Sequence, residues 1–276
     1  MTAATKIDSA TVIKRAFEQP QWYLTKTAYN IKVRIETIKE FVNGQSPKNI
    51  LDIGCGAGSV SAELAKRGHE VCGLDIMPEA VARAKNRGIN AEIYDINHLP
   101  LPFKDSFFDC ILALDILEHV FDPLSLLREM RRVLSTEGYS IIVLPLHFDL
   151  RQRLRILAGK GILLYEHLWY DPNCVSWEYF HIRFFTLCEA EEFIRAGAFA
   201  IERRAYRSIV TADMGWLGRH LLNATVAQYL ANRVPALFSS GMKMVIRPLV
   251  DSDTRDGKIA RTATPRQTPI LKKSMT

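Results

Sequence analysis

The stretch Ile50-Leu51-Asp52-Ile53-Gly54-Cys55-Gly56-Ala57-Gly58 decides the fold, because an apolar strand ends there in three glycines at alternate positions. Alternate glycines let the backbone turn sharply out of a strand and approach a ligand with no Cβ atoms in the way. The run predicts a nucleotide-type cofactor. Ser59 to Lys66 then reads as a helix. The spacing is G-x-G-x-G rather than the G-x-G-x-x-G of dinucleotide folds, so no pyrophosphate has to be held. Asp52 stands two residues before the first glycine, where a carboxylate can face an amine. Asp75 closes the next apolar run, Val71-Cys72-Gly73-Leu74. It lies about 20 residues on, where an acid can accept both ribose hydroxyls.

The residues downstream keep the same alternation of strand and helix. Pro78 to Arg87 reads as a helix, and Ala91 to Tyr94 as a strand ending at Asp95-Ile96. Pro100-Leu101-Pro102-Phe103 and Asp105-Ser106 make a loop before a fourth strand, Phe107 to Leu114. Asp115-Ile116-Leu117-Glu118-His119-Val120 follows directly. Asp122-Pro123 reads as an N-cap with proline at the first helical position, opening a helix from Leu124 to Leu134. Ser135 to Gly138 is expected to turn into a fifth strand, Tyr139 to Leu144.

With these residues in hand, the chain resembles the class I S-adenosylmethionine-dependent methyltransferases, in the type 11 subgroup of small-molecule enzymes. The likeness is carried by the Asp-x-Gly-x-Gly-x-Gly loop, Asp75, Asp95-Ile96, Leu99 to Phe103, Ser106 to Asp109, Leu117 to Val120 and Arg131 to Leu134. It covers roughly residues 50–145 closely. One departure is the turn before the fifth strand, Thr136-Glu137-Gly138, where the family has proline-glycine-glycine. The resemblance implies a doubly wound α/β fold with a mostly parallel seven-stranded sheet, and S-adenosyl-L-methionine as cofactor. It also implies roles by position: Asp52, Gly54, Gly56 and Gly58 hold the methionine end, Asp75 takes the ribose, and Asp95 and Ile96 flank the adenine, with Ile76 and Leu114 also among the cofactor-binding residues.

The flanking regions are read as additions to that domain. Residues 1–45 form a helical cap, because Leu24, Ile31, Ile35, Ile38 and Phe41 recur at near-helical spacing between Gln21 and Val42. Trp22, Tyr23 and Tyr29 precede or open that helix and are expected mainly as core anchors. Residues 46–247 form the methyltransferase domain, within which 146–186 is an acceptor lid and 209–240 a helical insertion. In the lid, His147 to Gly159 looks helical and basic. The segment that includes Arg151, Arg153, Trp169-Tyr170 and His181-Ile182-Arg183-Phe184-Phe185-Thr186 is similar to MetW-like proteins and to methyltransferases found with surface-polysaccharide enzymes. Thr186 and Glu189 read as a capping box on a helix from Leu187 to Ala196. Phe199 to Ser208 and Gly241 to Arg247 supply strands six and seven. In the insertion, Pro235 is expected to stop a helical run, and residues 248–276 are a disordered basic tail whose composition cannot bury enough surface to offset ordering.

Bulk properties bound the function. With 276 residues, 48% apolar and 24% charged, the chain supports one sizeable α/β domain with additions. Five cysteines without a Cys-x-x-Cys pair fit a reducing compartment, and the cytoplasm is expected. The formal charge is +6, and residues 251–276 contribute half of it through six basic against three acidic side chains. No basic stripe interleaved with aromatics marks the core, so no nucleic-acid partner is expected. No transmembrane segment is expected either, while Arg203-Arg204, Arg207 and the tail leave peripheral membrane contact open.

Methyl transfer asks the protein mainly to orient donor and acceptor and to exclude water. A base is needed only for a hydroxyl or protonated-amine acceptor, and His119, just past the fourth strand, is the candidate catalytic residue. Asp115-x-x-Glu118-His119 resembles the metal-associated Glu-x-x-Glu-His segment of ubiquinone-type O-methyltransferases, with a shorter first acid; no metal is expected. His147, His167 and His181 are expected as hydrogen-bonded scaffold. The expected activity is methylation of a small-molecule, lipid-linked or saccharide acceptor, on oxygen. The alternative is a MetW-like partner protein that binds the cofactor and acts through association with another enzyme.

Overall fold

Apolar strands joined through helices align in parallel, because each crossover returns the chain to the same end of the sheet. The computed structural model describes Ile35, Ile38 and residues 48–159, 161–162, 181–209 and 224–249. In chain order these form β1 (Asn49–Ile53), α1 (Ser59–Ala65), β2 (Glu70–Asp75), α2 (Pro78–Asn86), β3 (Asn90–Ile93) and β4 (Phe108–Leu114). A 3-10 turn (Leu117–His119), α3 (Pro123–Val133), β5 (Leu134–Pro145), α4 (Leu150–Leu157) and α5 (Leu187–Ala196) follow. The last elements are β6 (Phe199–Ser208), α6 (Ala224–Arg233), α7 (Pro235–Phe238) and β7 (Ser239–Pro248).

The seven strands lie in the order β3-β2-β1-β4-β5-β7-β6, which is the expected doubly wound sheet. Strand β7 is antiparallel to both β5 and β6, and the other pairings are parallel. The order reverses between β1 and β4, so their carboxyl ends open the crevice where such sheets take ligands. Strands β1 and β4 are buried on both faces, with Ile50, Leu51 and Ile53 beside Cys110 to Leu114. That is why they read as near-continuous apolar runs rather than alternating ones.

Helix α3 buries Leu126, Leu127, Met130 and Val133, and opens as expected on Asp122, whose carboxylate accepts the Ser125 N–H. Its last turn holds the loop before β4. The Arg132 guanidinium donates to the carbonyls of Leu101 and Phe103, while Glu129 accepts the Leu101 N–H at 2.9 Å. The Arg132 hydrogen bonds hold the Glu129 carboxyl below its ordinary range. Below this loop Phe108 is fully buried, with the rings of Phe103 and Phe107 edge-on at 4.8 and 4.9 Å.

Three local expectations change. The turn expected at Ser135 to Gly138 stands inside β5 as a bulge, since Leu134 pairs with Phe108 and the next pairing is Tyr139 with Cys110. Gly138 suits that position, since a Cβ would stand 2.9 Å from the Ser135 carbonyl oxygen. The helix expected from His147 begins at Leu150, because Asp149 caps it by accepting the Arg151 and Gln152 N–H groups. Pro235 does stop α6, yet it also opens α7 as the first helical residue. Helix α5 matches the expected bounds, with the capping box of Thr186 and Glu189 formed in both directions.

Of the expected N-terminal helix, Ile35 and Ile38 are described, both helical, and Ile38 is buried against the cluster of Ile50, Val71 and Leu112. Trp22, Tyr23, Tyr29, His167, Trp169, Tyr170, Cys174, Trp216 and the tail beyond Leu249 lie outside the described residues. The described part of the insertion packs on the sheet, with Ala227 and Ala231 fully buried and Gln228 donating to the Tyr206 carbonyl. Among the described residues, no helix is long and apolar enough to cross a membrane.

Candidate active site

The three loop glycines all adopt left-handed backbone, with φ of +72° at Gly54, +54° at Gly56 and +71° at Gly58. L-residues with side chains rarely adopt this conformation. Gly54 and Cys55 both donate to the Leu74 carbonyl, at 2.8 and 3.0 Å, which folds the loop over the end of β2. Neighbouring elements close in where side chains are missing. A Cβ on Gly54 would stand 2.7 Å from Ile116 Cδ1, and one on Gly58 would stand 2.8 Å from Ala84 Cβ and 3.0 Å from Ala84 Cα. Gly58→Ala is therefore expected to cost roughly 1–3 kcal/mol through strain and overpacking. Thermal unfolding would register this as a melting temperature lower by several degrees.

Asp75 ties the loop to β2. It is buried, and its carboxylate accepts the Gly56 N–H at 2.8 Å and the Met77 N–H at 2.9 Å. An ionised carboxylate offers about four acceptor sites, so one group can serve several donors at once. The open carboxylate expected at Asp52 is instead buried, and it accepts the Ser61 hydroxyl of α1. Asp52 thus braces the loop from below. Burial, with both acids nearby, pushes the Cys55 thiol well above its ordinary range, so this loop offers no thiolate nucleophile.

The third acid follows β3. Asp95 accepts from the backbone and side-chain nitrogens of Asn97, at 3.0 and 2.9 Å, and pairs with His98 at 3.1 Å. Asn97 in turn accepts the Phe121 N–H at 2.9 Å, which fastens the β3 loop to the segment beyond the 3-10 turn. Ile96 and Leu114 are buried and Ile76 is half-buried. The residues expected to bind cofactor therefore stand at the carboxyl ends of β1, β2 and β4 or on the loops after β1, β2 and β3.

His119 ends the 3-10 turn and is half-buried. Glu118 beside it is fully buried, and its carbonyl accepts the N–H groups of Ile182 and Arg183 at 3.0 and 3.2 Å. Those bonds, with the bridge between Leu146 and Phe185, dock the segment before α5 against the turn. Oε1 of Glu118 lies 3.9 Å from His119 Nε2 and 3.6 Å from His181 Nε2, and the two imidazole rings are 4.7 Å apart. Donor atoms of Glu118, His119 and His181 all lie within 4.8 Å of one another. The sequence reading grouped Asp115 with Glu118 and His119, but the third corner is His181. Asp115 instead takes a left-handed φ of +51° at the end of β4 and donates its N–H to Val143.

His147 backs this cluster. Burial, then His119 and Arg207, lowers its pKa from the ordinary 6.5 to about 4. Between those values the unfolded chain binds a proton that the folded chain refuses, so stability falls as pH drops from about 6.5 to about 4. The total loss is about 3 kcal/mol, and none arises above that window. Melting temperatures recorded against pH should show a shallower acid decline for His147→Leu than for the wild type.

Sequence reasoning missed Ser61, Asn97 and the burial of Glu118. Ser61 has a signal, a hydroxyl in the first turn of the helix that follows the glycine loop. Asn97 and Glu118 act through contacts between distant loops, which no local spacing encodes.

A methyltransferase domain family model matches residues 51–142. The chain is 38% identical over 107 residues to norajmaline N-methyltransferase of Rauvolfia serpentina, covering 36% of each chain. It is 36% identical over 114 residues to a ubiquinone biosynthesis O-methyltransferase of Histophilus somni, covering 38% of this chain and 48% of that one. The chain thus spans less than half the length of these two curated relatives. Among solved structures, a protein of Pyrococcus horikoshii superposes with a TM-score of 0.56 at 20% identity, over 84% of this chain and 98% of that one, a likeness of fold. The matched domain includes Glu118 and His119, whereas His147 and His181 lie beyond it.

Proposed function

We propose that this chain, whose residues 51–142 are a methyltransferase domain on a seven-stranded doubly wound sheet, uses S-adenosyl-L-methionine to methylate a small-molecule, lipid-linked or saccharide acceptor, on oxygen. The observation that carries this reading is the meeting of the left-handed glycine loop with the Asp75 carboxylate through the Gly56 N–H. The residues present suit that cofactor. A loop without Cβ atoms admits a ligand close to its backbone, and a charged acceptor at the end of β2 suits a vicinal diol.

When bound, S-adenosylmethionine supplies an electrophilic methyl group on a sulfonium, with a neutral thioether as leaving group. Gly54, Gly56 and Gly58 would face its amino-acid end, with Asp52 and Ser61 keeping the loop rigid. Asp75 would accept the ribose hydroxyls, and Asp95, Ile96 and Ile76 would flank the base. Leu114 and the 3-10 turn stand at the end of β4, where an acceptor would approach. His119 would take the acceptor hydroxyl proton as that oxygen forms its bond to the methyl carbon. Without such a base the oxygen would acquire positive charge in the step, which a positioned imidazole relieves.

The test is release of S-adenosylhomocysteine from S-adenosylmethionine in the presence of ortho-dihydroxy aromatics, hydroxylated lipids, sugars or amines. Product formed with a hydroxyl acceptor supports the reading. Turnover with amines alone would overturn the choice of oxygen, and tight cofactor binding without any turnover would favour a partner protein that acts through association.

A further inference from the structure

His147 and His181 come from different segments, yet they meet beside His119 with defined proton positions. The Phe185 N–H lies 3.3 Å from His147 Nδ1. A backbone N–H can only donate, so Nδ1 accepts and the proton of neutral His147 stands on Nε2. That nitrogen is 2.9 Å from His181 Nδ1, which must then accept, leaving the His181 proton on Nε2. His181 Nε2 faces Oε1 of the fully buried Glu118 at 3.6 Å, and the same oxygen faces His119 Nε2 at 3.9 Å. The last two separations exceed hydrogen-bond length, and such contacts tighten when a catalytic site fills.

Resting on the methyl-transfer reading above, we propose that His147 and His181 form a proton-ordered relay that aims an N–H at Glu118. His181 is thereby a positioning residue that helps to fix the carboxylate against His119 Nε2. A buried carboxylate is costly unless it is paired and hydrogen-bonded, so a His181 proton directed at Glu118 helps to hold it. A carboxylate that orients a base and stabilises its imidazolium is the third member of a nucleophile-activating set. The docking of Ile182 and Arg183 on the Glu118 carbonyl keeps His181 in reach.

The same proton order argues against a cation shared by Glu118, His119 and His181, although their donor atoms are close enough. For His181 Nε2 to bind a metal, its proton would move to Nδ1, and His147 Nε2 would have to accept it. His147 would then accept at both nitrogens and carry no proton, which a neutral imidazole cannot do. The cluster is built for protons.

Nitrogen NMR of the full chain labelled with ¹⁵N-histidine, near neutral pH and without cofactor or acceptor, reads the tautomers directly. Both His147 and His181 should be Nε2–H. His147→Leu should release His181 into a mixture of tautomers, and His181→Gln should move the ring signals of His119. Added Zn²⁺ should leave the His181 nitrogens unchanged. A His181 protonated on Nδ1, a His181 Nε2 that binds Zn²⁺, or His119 signals unmoved by His181→Gln would each overturn the relay. Should a variant fail to fold, the wild-type tautomers and the Zn²⁺ titration still decide. No cofactor enters the measurement, so failure of the relay is distinct from failure of the methyl-transfer reading, which a calorimetric titration with S-adenosylmethionine decides.

Discussion

His119→Ala is expected to lower turnover on a hydroxyl acceptor by about 10²–10⁴-fold, the range for losing a positioned general base, while cofactor affinity stays within a few-fold. The separation follows from geometry. His119 sits on the 3-10 turn after β4, whereas the loop, Asp75 and Asp95 belong to β1, β2 and β3. The bonds described for the glycine loop run to the Leu74 carbonyl and the Asp75 carboxylate. A pH–rate profile adds an independent readout: in the wild type turnover should rise as the imidazolium gives up its proton, and that limb should vanish in the variant. Profiles of the same shape, with rates within a few-fold, would remove the base and leave proximity as the source of rate.

Asp75→Ala is expected to weaken cofactor binding by roughly 1.5–3 kcal/mol, about 10- to 150-fold, through loss of charged hydrogen bonds to the ribose. The variant should also lose stability, because the N–H groups of Gly56 and Met77 give up their acceptor and the loop loses its tie to β2. Asp75→Asn keeps one acceptor oxygen and should fall between the two in both measurements. Calorimetry paired with thermal unfolding separates the effects. An Asp75→Ala protein that is destabilised but binds cofactor as the wild type does would make the acid a brace for the loop and nothing more.

What the sequence made legible was local. The glycine loop declares itself because left-handed backbone admits few residues besides glycine. Strands β1 and β4 do so because burial on both faces leaves uninterrupted apolar runs. Helix α5 announces both ends through Thr186, Glu189 and Gly197. What was not legible required two distant segments to meet. Ser135 to Gly138 looked like the turn before the strand, and only the register, in which Leu134 pairs with Phe108 and Tyr139 with Cys110, makes them a bulge within β5. Asp52 looked available to an amine, and only the packing of α1 buries it against Ser61. The nearest sequence neighbours of Glu118 suggested Asp115 as its companion, whereas the fold supplies His181 from 63 positions further along the chain. Spacing within one segment cannot report such a contact.

The central claim is that the loops after β1, β2 and β3 form one S-adenosylmethionine site. Hydrogen–deuterium exchange of the wild-type chain with and without S-adenosylmethionine tests it most directly. The expected result is saturable slowing of exchange at residues 54–58, 75–77 and 95–97, reaching its limit at one equivalent. Slowing confined to other regions, or no change at cofactor concentrations far above the level of the protein, would contradict it.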